Sequence, residues 1–372
     1  MVNVLCIIYL SNQIFPNNLI KQRIVMNKNL TLKDIAKALN LSISTISKAL
    51  NDSYEISNDT KLKVHEFAKA NNYSPNRMAK GLKEGKSRSI GVVVCSLENN
   101  FVAQMLDGID KYSTDKAYQI IIMQSKESHE QERACLSLLY AGGVDGILIS
   151  PACENVDLSY LVSLQEKGLP VVLFDRLSNE IETHKVGADN FKGAYEATAH
   201  LISQGYKQIA HLNTKTKLNI ATDRLNGYKK ALSDHNIAFR SELLRSCDYA
   251  DSVKLTQDLE AALSFYMNLK DRPDAIFTAT DQITTRCLAM LNKLGYKIPE
   301  DIAVIGFTNT DLADALNPSL STVHQPAFQI GELAASKLIS LIERKHDDIE
   351  FETIVLPTAI HIRNSTRKRL RA

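Results

Sequence analysis

Residues 42–51, SISTISKALN, place four small hydroxyl side chains and one lysine on a helical spacing. Ile43, Ile46, Ala49 and Leu50 recur at three and four, as one apolar helix face requires. Ser44, Thr45, Ser47 and Lys48 then turn outward, and Ser44 and Lys48, four apart, share one stripe. Small hydroxyls let a helix slide into a groove about 12 Å wide, where an ammonium reaches guanine acceptors or a phosphate. Ser42 suits the N-cap, and the helix N-terminus offers amide donors to an anion. The chemistry on offer is recognition of a polyanion through hydrogen bonds and charge. Pattern alone leaves an ordinary helical hairpin equally open.

The elements that position this helix are legible on either side. Thr31 with Asp34 reads as a capping box, and Leu32, Ile35, Ala36 and Leu39 mark an apolar face. Asn40-Leu41 makes the turn. Ser57 or Asn58 caps a third helix with Leu62, Val64, Phe67 and Ala68 available for packing, in a helical pattern that runs to residue 73. Pro75 is expected to break it. Asn76 to Lys83 could form two turns, with Met78, Ala79 and Leu82 apolar, but so short a helix is unstable alone and Gly81 costs about 1 kcal/mol relative to Ala. It is expected to stay disordered until something orders it, such as a minor groove with Leu82 wedged between base pairs. A plain linker is the alternative. Glu84 to Ser89 reads as a solvated linker.

Charge is divided unevenly along the 372 residues, whose net is +2. Residues 26–90 hold twelve Lys/Arg against six Asp/Glu, and residues 1–25 add Lys21 and Arg23, so the rest sums to −6. A basic front on an acidic body points to a polyanion held at one end. The six cysteines are scattered without a C-x-x-C pair, the usage of reduced, buried thiols in a cytoplasmic protein. VNVLCIIYL near the start is too short to span a bilayer and has no preceding Lys or Arg, which argues against a secretory signal. Residues 1–27 read as a disordered extension or a mis-assigned start, with Met26 the natural first residue. No G-x-x-x-x-G-K-S/T, H-E-x-x-H or G-x-S-x-G occurs, and the nine His form no metal-like cluster. No catalytic residue, metal site or cofactor is expected.

From residue 89 the character changes to strand–helix alternation. β-Branched runs recur at 89–94, 119–123, 145–150, 170–174, 208–212, 274–279 and 302–306, and 349–363 reads as closing strands. Continuous apolar strands separated by amphipathic helices predict parallel sheets covered on both faces. Around 280 residues exceed one sheet, so two doubly wound lobes are expected.

The stretch TLKDIAKALNLSISTISKALND (31–52) through YSPNRMAKGLKEGKSRSIGV (73–92) resembles the DNA-binding head and hinge of the lactose-repressor (LacI/GalR) family. The resemblance continues through VVLFDR (171–176), VGADNFKGAY (186–195), DRLNGY (223–228), IFTATDQ (276–282), VIGFTN (304–309), PSLSTVHQPAFQIGELAA (318–335) and HIRNST (361–366). It implies an all-α helix-turn-helix DNA-binding domain at 28–75, a hinge helix and linker at 76–88, and a two-lobed core at 89–366 for effector binding and dimerisation. A basic tail follows at 367–372. The core is expected to be α/β, resembling periplasmic sugar-binding proteins, with a ligand between two lobes joined by three crossings.

By that resemblance Ile43, Ser44 and Lys48 read bases. Lys48 stands where many members have Arg, keeping the charge but losing the planar fork. Thr31, Ser42, Thr45, Ser47 and Asn51 fall at phosphate contacts. Asn76, Ala79, Leu82 and Lys83 fall on the hinge helix, with Leu82 at the intercalating position. The effector positions are Phe101, Asp175, Asp189, Arg224, Thr280, Asp281 and Thr308. Many sugar-binding members have Asp after GF; the neutral Thr308-Asn309 pair here leaves room for an acidic or modified sugar. The implied partners are a palindromic DNA operator, a small sugar-like effector and a second copy of the chain, with no membrane. The implied function is repression of carbohydrate-utilisation genes, switched by ligand only as far as it binds two lobe arrangements differently.

Overall fold

The computed structural model describes residues 30–71, 73, 86–152, 157–215, 218–248, 251–344 and 350–367. The expected extension at 1–27 and all but the first residue of the tail at 367–372 lie outside them. The chain divides into two compact units at Lys80/Gly81. Among the described residues the first holds three helices, α1 (Leu32–Leu39), α2 (Ile43–Leu50) and α3 (Asn58–Ala70). Each starts on a hydroxyl N-cap: Thr31 accepts from the Asp34 amide, Ser42 from Thr45 and Ser57 from Thr60. The box at Thr31 is reciprocal, because Asp34 Oδ2 accepts from the Thr31 amide at 3.0 Å. Asn40 turns the chain between α1 and α2 in the left-handed region, φ 52°, a conformation Asn tolerates better than most residues.

Ile35, Ala36, Ile46, Ala49 and Val64 form the buried centre of this unit. Leu62, expected to pack, is instead 61% exposed. It stands two residues from Val64, which at 3.6 residues per turn puts it on the far side of α3. The third helix also stops before the expected break at Pro75, which lies outside the described residues. It ends at Ala70, where the Asn71 side-chain amide donates to the Phe67 carbonyl at 2.8 Å.

The second unit contains two six-stranded sheets. In the first lobe β1 (Ser89–Val94), α4 (Asn100–Asp115), β2 (Gln119–Gln124), α5 (His129–Ala141), β3 (Gly146–Ile149), α6 (Ser159–Glu166), β4 (Val171–Phe174) and β5 (Lys185–Ala188) alternate. In the second, α7 (Asn190–Ser203), β6 (Ile209–Thr214), α8 (Asn219–Asp234), β7 (Leu244–Cys247), α9 (Ser252–Met267), β8 (Ala275–Thr278), α10 (Asp281–Lys293), β9 (Ala303–Phe307) and β10 (Ser321–His324) follow. The chain then returns through α11 (Ala327–Glu343) and β11 (Thr353–Leu356) to the first lobe, and ends with β12 (Ala359–His361) in the second. Strand orders are β11-β5-β4-β3-β1-β2 and β12-β10-β9-β8-β6-β7.

Three passages join the lobes, at β5–α7, β10–α11 and β11–β12. Among the described residues every strand pair is parallel except β10–β12, which is antiparallel because β12 returns from the other lobe. Apolar side chains cover both faces of each sheet. The edge strand β2 departs from this, leaving Ile121 and Ile122 at 43% and 40% exposure.

The expected linker at 84–89 is also corrected in its described part. Asp145 takes the amides of Ser87 and Arg88 at 2.7 and 2.8 Å, Arg88 pairs with Glu343 at 2.9 Å, and Lys86 donates to the Ile342 carbonyl. Residues 86–88 belong to the first lobe. Strands β5, β7 and β10 were not among the predicted runs; each is four residues long, with polar or small side chains diluting the apolar signal.

Candidate nucleic-acid interface and effector cleft

On α2, Ile46 and Ala49 are fully buried, while Ile43, Ser44 and Lys48 are exposed and Thr45 and Ser47 half-buried. Ser42, Ser44 and Thr45 make a hydroxyl cluster, with Ser42 Oγ 2.7 Å from Ser44 Oγ and 2.8 Å from Thr45 Oγ1. The cluster sits at the helix N-terminus, where partial positive charge favours an anion. Two expected phosphate contacts also have local duties: Thr31 closes the α1 cap, and the Asn51 side chain donates to the Ser47 carbonyl at 2.7 Å. Lys48 forms an ion pair with Glu55, a partner the sequence reading did not single out. The hinge positions Asn76, Ala79, Leu82 and Lys83 lie outside the described residues.

In the second unit a cavity of about 410 Å³ opens between the lobes. Six of the seven expected effector residues line it: Phe101, Asp175, Arg224, Thr280, Asp281 and Thr308. Phe101, Asp175, Thr280, Asp281 and Thr308 follow the carboxyl ends of β1, β4, β8 and β9, where open parallel sheets bind ligands. Asp189 does not line the cavity. It caps α7 at the first crossing, accepting from the Lys192 amide at 2.8 Å. Phe101 contributes an edge only, being 6% exposed and packed into the first lobe.

The cleft wall carries strain and buried charge together. Lys126, Glu127 and Asp175 all line it with positive φ, 51°, 59° and 62°, a region that non-glycine residues enter only under outside constraint. The constraint at Glu127 is a two-pronged pair with Arg176, at 2.7 and 2.6 Å, and Arg176 also donates to the Pro151 carbonyl at 3.0 Å. Burial pushes the Asp175 carboxyl up, and the charges of Arg176 and Arg224 partly offset it. Burial likewise raises Asp281, opposed by the Thr308 hydroxyl that donates to it.

Arg224, 5% exposed, donates to Asn190 Oδ1 at 2.9 and 2.6 Å, to the Ala279 carbonyl and to Gln325 Oε1 at 3.3 Å. Its guanidinium lies 3.7 Å from the Phe307 ring centroid, a favourable cation–π geometry. Asn309 spans the cleft, donating to Gln104 Oε1 and the Gln325 carbonyl, both at 2.8 Å, while accepting from the Gln325 amide at 2.9 Å. Among the described residues no group of three or more His, Cys, Asp or Glu is placed to hold a metal ion.

Residues 31–76 match the family described as bacterial regulatory proteins, lacI family, and residues 198–366 match a periplasmic binding protein-like domain. The HTH-type transcriptional repressor PurR of Photobacterium profundum is 30% identical over 319 residues, covering 86% of this chain and 93% of the relative. The chain belongs to the lacI family. The lac repressor dimer bound to operator and the anti-inducer ONPF shares its fold, with TM-score 0.76 and 23% identity over 91% of this chain and 99% of that one. A complex of the transcriptional regulator CelR with cellobiose gives TM-score 0.66 at 25% identity, covering 90% and 99%.

As a lacI-family member the chain is a DNA-binding transcriptional regulator and not an enzyme. The lacI-family motifs had included Arg176 within VVLFDR and Asn309 within VIGFTN without giving Arg176 a role. Glu127 carried no local signal, since its partner is 49 residues away. No described helix is long and apolar enough to cross a membrane.

Proposed function

We propose that this chain represses carbohydrate-utilisation genes from the cytoplasm, binding a palindromic operator as a homodimer and answering to a small sugar-like effector in the interlobe cleft. The observation that carries it is the cavity itself: six family effector positions from two lobes meet around one space of about 410 Å³. Its hydrogen bonding favours a ligand rich in hydroxyl donors. The arginine N–H groups are largely engaged by Glu127, Pro151, Asn190, Ala279 and Gln325, while Asp175 and Asp281 keep acceptor capacity. That favours a neutral or amine-bearing sugar, in place of the acidic one for which the Thr308-Asn309 pair had left room.

The dimer reading draws on symmetry, because one small head reads too few base pairs to be specific. The exposed Ile121 and Ile122 on edge strand β2 suit a covered surface. Residues 28–75 act as the reading head and residues 76–85 as the hinge, which coils in the minor groove when two protomers hold it there. Residues 86–366 form the effector core. One lobe arrangement favours that coiling and the other does not, so a ligand acts through its differential affinity for the two.

The test is recovery of bound fragments genome-wide, followed by binding of the recovered duplexes with and without candidate sugars. Enrichment of palindromes beside sugar-utilisation genes, with affinity shifted at least tenfold by one sugar, supports the reading. Binding to random and recovered duplexes alike would remove it.

A further inference from the structure

We propose that Glu55 is a specificity-determining residue of the DNA-reading surface, acting as a carboxylate that the groove accepts only opposite a matching base. The proposal rests on reading α2 as the base-reading helix. Glu55 lies between α2 and α3, and its carboxylate pairs with the Nζ of Lys48; the two side chains are 46% and 47% exposed. The other acid nearby is engaged elsewhere: Asp52 pairs with His65 at 3.4 Å, and its carbonyl takes the Lys61 ammonium at 3.0 Å. Residues 30–73 carry six Lys against five Asp/Glu, a net of only +1, whereas residues 74–90 carry five Lys/Arg against one Glu. Glu55 alone therefore halves the surplus charge of the folded head, which would be +2 without it.

On approach to a duplex Lys48 either leaves Glu55 or carries it along. If it leaves, a bare carboxylate enters the field of the phosphates, which repels it. If it carries Glu55, an ammonium and a carboxylate meet the base edges side by side. Guanine N7 and O6 answer the first, and the cytosine amino group answers the second. A duplex without that arrangement keeps the repulsion and supplies no compensation. Glu55 thus weakens binding to wrong sequences more than to the right one.

The experiment uses the full-length chain, an operator selected from random palindromic duplexes, and a scrambled duplex of equal length. Fluorescence anisotropy across a salt series compares wild type, Glu55→Gln, Lys48→Ala and the double variant, with circular dichroism verifying equal helix content. Glu55→Gln is expected to tighten scrambled-duplex binding by up to about eightfold at 0.1 M salt and to steepen its salt slope by up to about 1, one counterion's worth. Operator affinity should gain less or fall, so discrimination drops. Scrambled-duplex affinity that stays unchanged, or that moves in parallel with the operator, overturns the proposal. Operator preference surviving in Lys48→Ala would instead remove the base-reading assignment of α2, a distinct failure.

Discussion

Gln104 and Asn309 hydrogen-bond to one another from opposite lobes: the Asn309 side chain donates to Gln104 Oε1 at 2.8 Å, and Gln104 Nε2 donates to the Asn309 carbonyl at 3.3 Å. Gln104 stands on α4 of the first lobe and Asn309 just past β9 of the second. The pair bridges the same cleft that the effector positions line. It can favour the present lobe arrangement only while both side chains reach across.

Replacing the half-buried Gln104 by Ala removes this bridge without emptying the core. Each net hydrogen bond contributes about 1 kcal/mol, so losing the two should lower affinity for a ligand that needs this arrangement by about fivefold to thirtyfold. Titration calorimetry of the variant against wild type reads this directly. Unchanged affinity would mean that the bridge does not bias the lobes.

The head should be separable from the core by a single cavity. Ile46 is fully buried at the centre of a unit with few other core side chains. Ile46→Ala is expected to cost about 2–5 kcal/mol, enough to unfold so small a unit. Operator binding should disappear while effector binding and the core's thermal transition persist. Loss of both together would contradict two independent cores.

His211 makes the second lobe acid-sensitive. Its ring is buried between Tyr228 and Phe277, with centroids at 5.1 and 4.7 Å, and Nδ1 meets the Phe277 carbonyl at 3.1 Å. Burial pushes its pKa down from 6.5 to about 4, although the Phe277 carbonyl opposes this. The unfolded chain therefore takes up the proton first. The stabilisation is complete above about pH 6.5 and is lost as pH falls through the interval down to about 4, on the order of 3 kcal/mol in all. Urea unfolding at pH 7 and pH 4.5 should show His211→Phe losing less stability than wild type. Parallel losses would place the acid sensitivity elsewhere.

Operator binding should weaken steeply with salt, because several lysines and arginines displace counterions. Leu82→Ser should reduce operator affinity far more than affinity for a scrambled duplex, if Leu82 wedges between base pairs in an ordered hinge. Anisotropy titrations at two salt concentrations test both. A flat salt response would remove the phosphate contacts, and equal losses on the two duplexes would make the hinge a passive linker.

What could be read along the chain was whatever nearby residues decide. The Thr31–Asp34 box, the Asn40 turn and the apolar face of α2 each depend on neighbours within about four positions, so side-chain type and spacing suffice. Strands β1, β3 and β4 were legible because their apolar runs are continuous, while β5, β7 and β10 owe their extension to flanking strands and were not. Tertiary structure alone decided which polar groups share a space. Asp189 and Asp175 both follow a strand, yet one caps a helix at a crossing and the other lines the cleft. Glu127 meets Arg176 across 49 residues, and Gln104 meets Asn309 across 205. Gly331 shows the same limit, since a Cβ there would meet the Met105 carbonyl at 1.9 Å where α4 and α11 nearly touch. Such pairings follow from how the packed layers are stacked, and a one-dimensional pattern carries no distance between its far parts.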